Sequence, residues 1–155
     1  MKLITVRNFY TFSTLFILSF SSCIKTTNRD EIRSIIDADR YYSTLSAQKG
    51  RNTAFLAMFD SAGVTLAPHM LPVEGYKEIK KLILSHTDST YTLTWEPKFA
   101  KVASSGELGY TYGTYKLTVK GKKPISEEGT YITIWNKNSK GEWKALLDTG
   151  NEGLR

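Results

Sequence analysis

From Tyr91 onward the chain is dominated by Thr, Tyr, Val, Ile and Trp, broken at regular intervals by turn residues. This half constrains the fold more than any other feature. Four runs are expected to be strands: Tyr91–Ala103, Glu107–Lys120, Glu127–Asn136 and Glu142–Thr149. Ser104-Ser-Gly106, Lys120-Gly-Lys-Lys123 and Asn138-Ser-Lys-Gly141 supply the turns between them. Connections this short join antiparallel neighbours, so the pattern predicts a four-strand meander.

The preceding segment carries helical periodicity. Ile32, Ile35, Ile36, Tyr42 and Leu45 recur at three- and four-residue steps within Asp30–Gln48, and Gly50 follows. Arg51–Asp60 is expected to form a second helix with Phe55, Leu56 and Phe59, and Ser61-Ala-Gly63 to turn the chain into a short strand, Val64–Ala67. Gly75–His86 sets Ile79, Leu82 and Ile83 against Lys77, Lys80 and Lys81, an amphipathic third helix. Helices first and strands after define an α+β class, with about three N-terminal helices packed on one face of an antiparallel sheet. A chain of 155 residues has room for one such domain.

Residues 1–22 fall outside this scheme. Lys2 and Arg7 precede an apolar run from Phe9 to Phe20, too short to span a bilayer, and Ser21-Ser22 leads into Cys23. This resembles a bacterial lipoprotein signal, although Phe20 stands where Leu is usual. The resemblance implies cleavage before Cys23 and acylation of that cysteine, the only one in the chain. The expected organisation is a signal peptide at 1–22, a lipidated Cys and tether at 23–29, and one domain at 30–155. Ile24 lacks the acidic character of an inner-membrane retention signal, which points to the periplasmic side of the outer membrane in a bacterial envelope.

The formal charge of +6 falls to +4 once Lys2 and Arg7 are removed. Residues 23–97 carry 9 basic and 9 acidic groups, so the excess belongs to residues 98–155, with 10 basic and 6 acidic. Much of it sits at the predicted hairpin tips, where lysines blunt strand edges. An exported domain of this charge is not expected to bind nucleic acid.

Within Glu107–Val119, Leu108, Tyr110 and Tyr112 share one face; Gly109, Thr111, Gly113, Tyr115, Leu117 and Val119 share the other. Both faces are substantially apolar, yet helices cover only one. The second is expected to meet a partner, most economically a second copy of the chain.

Several stretches together resemble the nuclear-transport-factor-2-like domains of unknown function found in bacterial lipoproteins. They are Asp39-Arg-Tyr-Tyr-Ser-Thr-Leu-Ser-Ala-Gln-Lys-Gly50, Ala54-Phe-Leu56, Trp95-x-Pro97, Ala103–Gly113, Gly129–Trp135, Gly141-Glu-Trp-Lys144 and Leu147-Asp-Thr-Gly150. The superfamily includes ketosteroid isomerase and the SnoaL-like cyclases. The resemblance implies a cone, in which a strongly curved sheet wraps helices around an apolar cavity, and frequent dimerisation. It implies no single reaction.

Asp39 is the leading candidate for chemistry. It lies beside the apolar stripe of the first helix, so its carboxyl is expected inside the cone with a raised pKa unless it is paired. It is either an acid–base group served by Tyr42, Tyr110, Tyr112 or Tyr131, after the ketosteroid isomerase pattern, or a paired carboxylate that orients the helix. Tyr42, Phe55, Phe59, Trp95, Tyr110, Tyr112, Tyr131 and Trp135 are candidates for lining a pocket or for ordinary packing. Strict alternation from Trp143 turns Asp148 away from the pocket, and only a bulge reverses that. His69 and His86 lack metal-ligand spacing, and no phosphate loop, nucleophile elbow or dinucleotide fingerprint is present, so no metal or cofactor is expected. Three functions stay open: binding of a small apolar or aromatic molecule, a cofactor-free isomerase or dehydratase, and a structural envelope protein working through its sheet face.

Overall fold

The computed structural model describes residues 28–121 and 125–153. The segment expected to direct export, Cys23 and the Lys122-Lys123 pair lie outside these residues. Helix α1 spans Asn28–Lys49 and α2 spans Arg51–Met58; strand β1 is Phe59–Leu66 and β2 is Val73–Glu74. Helix α3 is Tyr76–Leu84, followed by β3 (Tyr91–Val102), β4 (Leu108–Val119), β5 (Ile125–Lys137) and β6 (Trp143–Glu152). The helices pack on one face of a curved, open, six-stranded sheet of order β2-β1-β6-β5-β4-β3.

Two expectations are corrected here. The second helix ends at Met58, so Phe59 and Asp60 belong to β1, and Ser61-Ala-Gly63 is not a turn between elements. Those residues form an irregularity inside the strand: Phe59 and Val64 pair with Ala145 and Leu147 of β6, and the excess loops out. Asp60 Oδ1 accepts the Ala62 N–H at 2.9 Å, a turn-like closure made within the strand. The sheet is also not a plain four-strand meander. β1 is inserted parallel to β6, and β2 adds a two-residue antiparallel edge.

A sharp link joins α1 to α2. Gly50 has φ +90, and a Cβ placed there would lie 2.5 Å from Asp88 Oδ2. That carboxylate accepts the Asn52 N–H at 2.8 Å and caps the start of α2.

The buried stripe of α1 is partly polar. Asp39, Ser43 and Ser46 follow an i, i+4, i+7 spacing among Ile35 and Tyr42, and all five are buried. The partners of Ser43 and Ser46 lie on β3, the edge strand of the sheet. Ser43 Oγ accepts the Trp95 N–H at 2.8 Å and donates to the Trp95 carbonyl at 2.7 Å. Ser46 Oγ donates to the Leu93 carbonyl at 2.6 Å. The helix thus lies along the edge and occupies backbone groups that an open edge would offer to another chain.

The core is formed by Ile35, Tyr42, Met58, Phe59, Ile79, Ile83, Trp135, Trp143 and Ala145, with smaller residues between them. Tyr42 stacks on Trp135 at 5.9 Å between centroids.

Two bulges decide which side chains face inward. Between Pro97 and Phe99 the register with β4 shifts by one residue, so Trp95 and Pro97 precede the shift on the inner face and Ala100 and Val102 follow it there. Phe99 is thrown onto the outer face, where it stacks on Tyr112 at 5.4 Å. In β6 the register shifts between the Trp135–Ala145 and Ile134–Leu147 pairs, leaving Leu146 as the extra residue. Trp143 and Ala145 point inward before it, and Asp148, opposite Thr133, points inward after it.

Candidate functional site

A cavity of ≈ 270 Å³ opens between α2 and the inner face of the sheet. Arg51, Phe55 and Met58 of α2 form one wall, and Thr65 to Pro68, at the end of β1 and beyond, form another. The sheet contributes Leu93 and Trp95, Tyr115 and Leu117, Tyr131 and Thr133, then Asp148 to Gly150 and Glu152. The lining is largely apolar, and its polar groups converge on β5 and β6.

Tyr115 reaches the cavity because Gly129 makes way for it. A Cβ on Gly129 would lie 2.5 Å from the Tyr115 ring, which lies against the bare backbone of β5.

Asp148 is the more buried of the two acids that line the cavity, the other being Glu152. Asp148 Oδ1 accepts the Thr133 hydroxyl at 2.7 Å. Burial pushes its pKa up to about 6; the Thr133 hydrogen bond opposes this, Asp39 raises it further by like-charge repulsion, and Arg51 lowers it. The simple alternation that turned Asp148 away from the pocket is overturned by the Leu146 bulge. A candidate bulge was the only signal in the sequence, and neighbouring apolar residues do not mark its position.

Asp39 is fully buried and does not line the cavity. It sits behind the wall. Trp95 Nε1 donates to its Oδ1 at 2.6 Å, and Tyr131 donates its hydroxyl to Oδ2 at 2.7 Å. Thr111, whose hydroxyl accepts Trp135 Nε1 at 2.8 Å, also hydrogen-bonds to Asp39. Burial raises the Asp39 pKa, against these three donors and with a smaller upward push from Glu96. Tyr131 is driven well above the ordinary phenol range, by burial first and then by Asp39, so it keeps its proton and donates. Both Asp39 oxygens accept, which is the geometry of a carboxylate bracing two aromatic wall residues. The sequence reading of Asp39 as a group presented to the pocket is therefore corrected: its partners face the cavity instead.

The other candidates divide three ways. Phe55, Trp95 and Tyr131 border the cavity. Tyr42, Phe59 and Trp135 are buried in the core beside it. Tyr110 and Tyr112 lie on the opposite face with Phe99, outside the cavity, which corrects their assignment to the pocket and as oxyanion donors. Arg51, Leu93, Tyr115, Leu117 and Thr133 were missed. Tyr115 and Leu117 share the inward parity of Thr111 on β4, a pattern that was available in the sequence.

His69, with φ 61, lies in the loop before β2, and His86 follows α3, where its Nδ1 is 3.2 Å from the Leu82 carbonyl. Among the described residues no group of three or more His, Cys, Asp or Glu could hold a metal ion.

No protein-family model matches the sequence, and no curated protein matches it. Solved structures do match. A ketosteroid isomerase-like protein from Erwinia carotovora atroseptica superposes with a TM-score of 0.65 at 17% identity, over 81% of this chain and 98% of that one. A nuclear transport factor 2-like superfamily protein from Salmonella enterica serovar Typhimurium gives 0.65 at 15% identity, over 83% and 95%. A nuclear transport factor 2-like protein with a cystatin-like fold from Novosphingobium aromaticivorans gives 0.63 at 15% identity, over 79% and 80%. The chain therefore has the nuclear-transport-factor-2-like fold, shared with ketosteroid isomerase-like proteins.

Proposed function

We propose that this protein binds a small, largely apolar or aromatic molecule in the cavity between α2 and the sheet, outside the cytoplasm and tethered to a membrane through Cys23. The observation that carries the binding reading is the cavity itself, in which apolar walls surround one hydrogen-bonded carboxyl, Asp148 on Thr133. A volume of ≈ 270 Å³ lies just below the ~300 Å³ where drug-sized sites begin, which suits a ligand of one or two rings. The tether rests on the basic start, short apolar run and single cysteine of the sequence. Ile24, which lacks the acidic character of a retention signal, supports the periplasmic side of a bacterial outer membrane as the domain's location. The apolar outer face, with Phe99 and Tyr112 exposed, supports a homodimer joined back to back.

Native mass spectrometry of the full chain, purified gently from its own envelope, tests the binding reading. A defined small adduct, lost when Trp95 is replaced by Ala, is the expected result. An adduct-free spectrum for protein that also takes up no compound from its own envelope extract overturns it. Palmitate labelling tests the tether: incorporation that persists in Cys23→Ser overturns acylation at that residue.

A second reading is favoured by Asp148 specifically. A carboxyl with a pKa of about 6 exchanges protons readily near neutral pH, so the cavity has the group a cofactor-free isomerase or dehydratase needs. In that reading Asp148, not Asp39, moves the proton. Deuterium incorporation into the bound ligand in heavy water, lost in Asp148→Asn, is its expected signature.

A further inference from the structure

The charges and rings of this cavity specify more than apolar character. The chain carries a formal charge of +6, yet the acids lining the cavity outnumber the bases. Asp148 and Glu152 face it against a single guanidinium, that of Arg51. Arg51 is engaged at the rim: it donates to the Tyr91 hydroxyl at 3.1 Å, and its guanidinium carbon lies 5.0 Å from the Phe55 ring centroid. The rim thus already seats one cation on an aromatic ring.

The two rings deeper in the wall are electronically biased. Trp95 and Tyr131 both direct their polar hydrogens away from the cavity, onto the two oxygens of the buried Asp39 carboxylate. An N–H or O–H that donates to a carboxylate is polarised, and electron density moves back into its ring. Both rings therefore present a more negative π-system than an unbonded indole or phenol. Behind them stands the buried Asp39 carboxyl, and beside them that of Asp148. These features of the sheet wall favour positive charge, opposed by Arg51 on the α2 wall. An anionic ligand would meet the carboxyls of Asp148 and Glu152, with Arg51 the one cation in the lining.

We propose that the cavity takes a small organic monocation, an ammonium group carried on a ring or short alkyl chain, with its charged nitrogen directed to Asp148 and the Trp95–Tyr131 wall. This deepens the binding reading above and rests on it. Asp39 enters as a positioning residue, which fixes the orientation and electron density of the two rings without touching the ligand.

The test is calorimetric titration of the full chain at pH 7.5 with three compounds of near-equal size: 2-phenylethylammonium, 2-phenylethanol and phenylacetate. The cation is expected to bind at least tenfold more tightly than the alcohol, and phenylacetate more weakly than either. Asp148→Asn should erase the preference for the cation, read as the ratio of the cation and alcohol affinities. Asp39→Asn should narrow that ratio several-fold without erasing it, whereas a merely structural role would weaken both ligands alike. Should Asp39→Asn fail to fold, Tyr131→Phe, which removes one of the polarised donors, serves in its place.

If the alcohol binds as well as the cation, or phenylacetate binds best, the charge inference is overturned while the binding reading stands. If none of the three binds, the inference is also overturned. The binding reading then falls only if the native protein carries nothing and takes up nothing from envelope extract.

Discussion

Tyr131 and Asp39 meet across 2.7 Å, the phenol of β5 donating to a carboxylate of α1 that has no exposure to solvent. This bond joins the cavity wall to the helix behind it. Tyr131→Phe keeps the ring and removes only the donor, leaving a buried carboxylate oxygen short of a partner. The expected loss is about 1–3 kcal/mol of stability. It is read as a lower urea midpoint with an unchanged denaturant slope. A loss below about 0.3 kcal/mol would show that water or Thr111 replaces the phenol without penalty.

Asp148 predicts a pH dependence with a definite sign. Its pKa is about 6 in the folded chain against 3.8 for a free side chain, so between those values the folded state binds the extra proton. Stability contributed by this group is therefore present in acid and lost as pH rises through 6. Asp148→Asn removes the penalty. The variant should gain on the order of 3 kcal/mol relative to wild type at pH 8. It should gain almost nothing at pH 4. Equilibrium unfolding of both proteins at the two pH values measures the difference directly; an equal difference at both would rule out Asp148 as the titrating group.

Ser43 holds the edge of the sheet. Its one hydroxyl serves both the N–H and the C=O of Trp95, and among the described residues no strand lies on that side of β3 to take over. Ser43→Ala should cost about 1–3 kcal/mol, because a backbone pair at the helix–strand contact loses its partner. Amide hydrogen exchange at Trp95 should accelerate more than exchange at Trp135 in the sheet centre. Uniform acceleration across β3 to β6 would mean that the serine acts on global stability alone.

What was legible in the sequence follows the length of each pattern. The four long strands and three helices stand out because each repeats its period over many residues. Asp39 is legible as a buried acid for the same reason. Its partners are not, since the bond to Tyr131 joins residues 92 apart and depends on sheet register. The bulges at Lys98 and Leu146 were invisible because one extra residue changes no composition, yet each reverses the facing of everything beyond it. That reversal moved Asp148 from the outer face into the cavity. Ser61-Ala-Gly63 reads locally as a turn, and it closes like one, but pairing with β6 carries it inside a strand. The polar stripe of Asp39, Ser43 and Ser46 was available as an i, i+4, i+7 spacing, overshadowed by the apolar residues on either side.

The outer face yields the last prediction. Phe99 and Tyr112 stack at 5.4 Å with 43% and 47% of their surfaces exposed, and Leu108 and Ile132 are exposed at 42% and 36%. The strands that carry them are held by the register of β3, β4 and β5, so this patch is rigid and preformed. Contiguous apolar surface on a fixed sheet favours self-association, because no ordering entropy opposes it. Analytical ultracentrifugation of the full chain in mild detergent is expected to give a dimer. Tyr112→Lys, which places a charge at the centre of the patch, should shift it to a monomer. The substitution lies outside the cavity, so ligand uptake should be retained in the monomer. Wild-type protein that sediments as a monomer at tens of micromolar would sink the back-to-back dimer, and loss of ligand together with the dimer would mean that the two faces of the sheet are coupled.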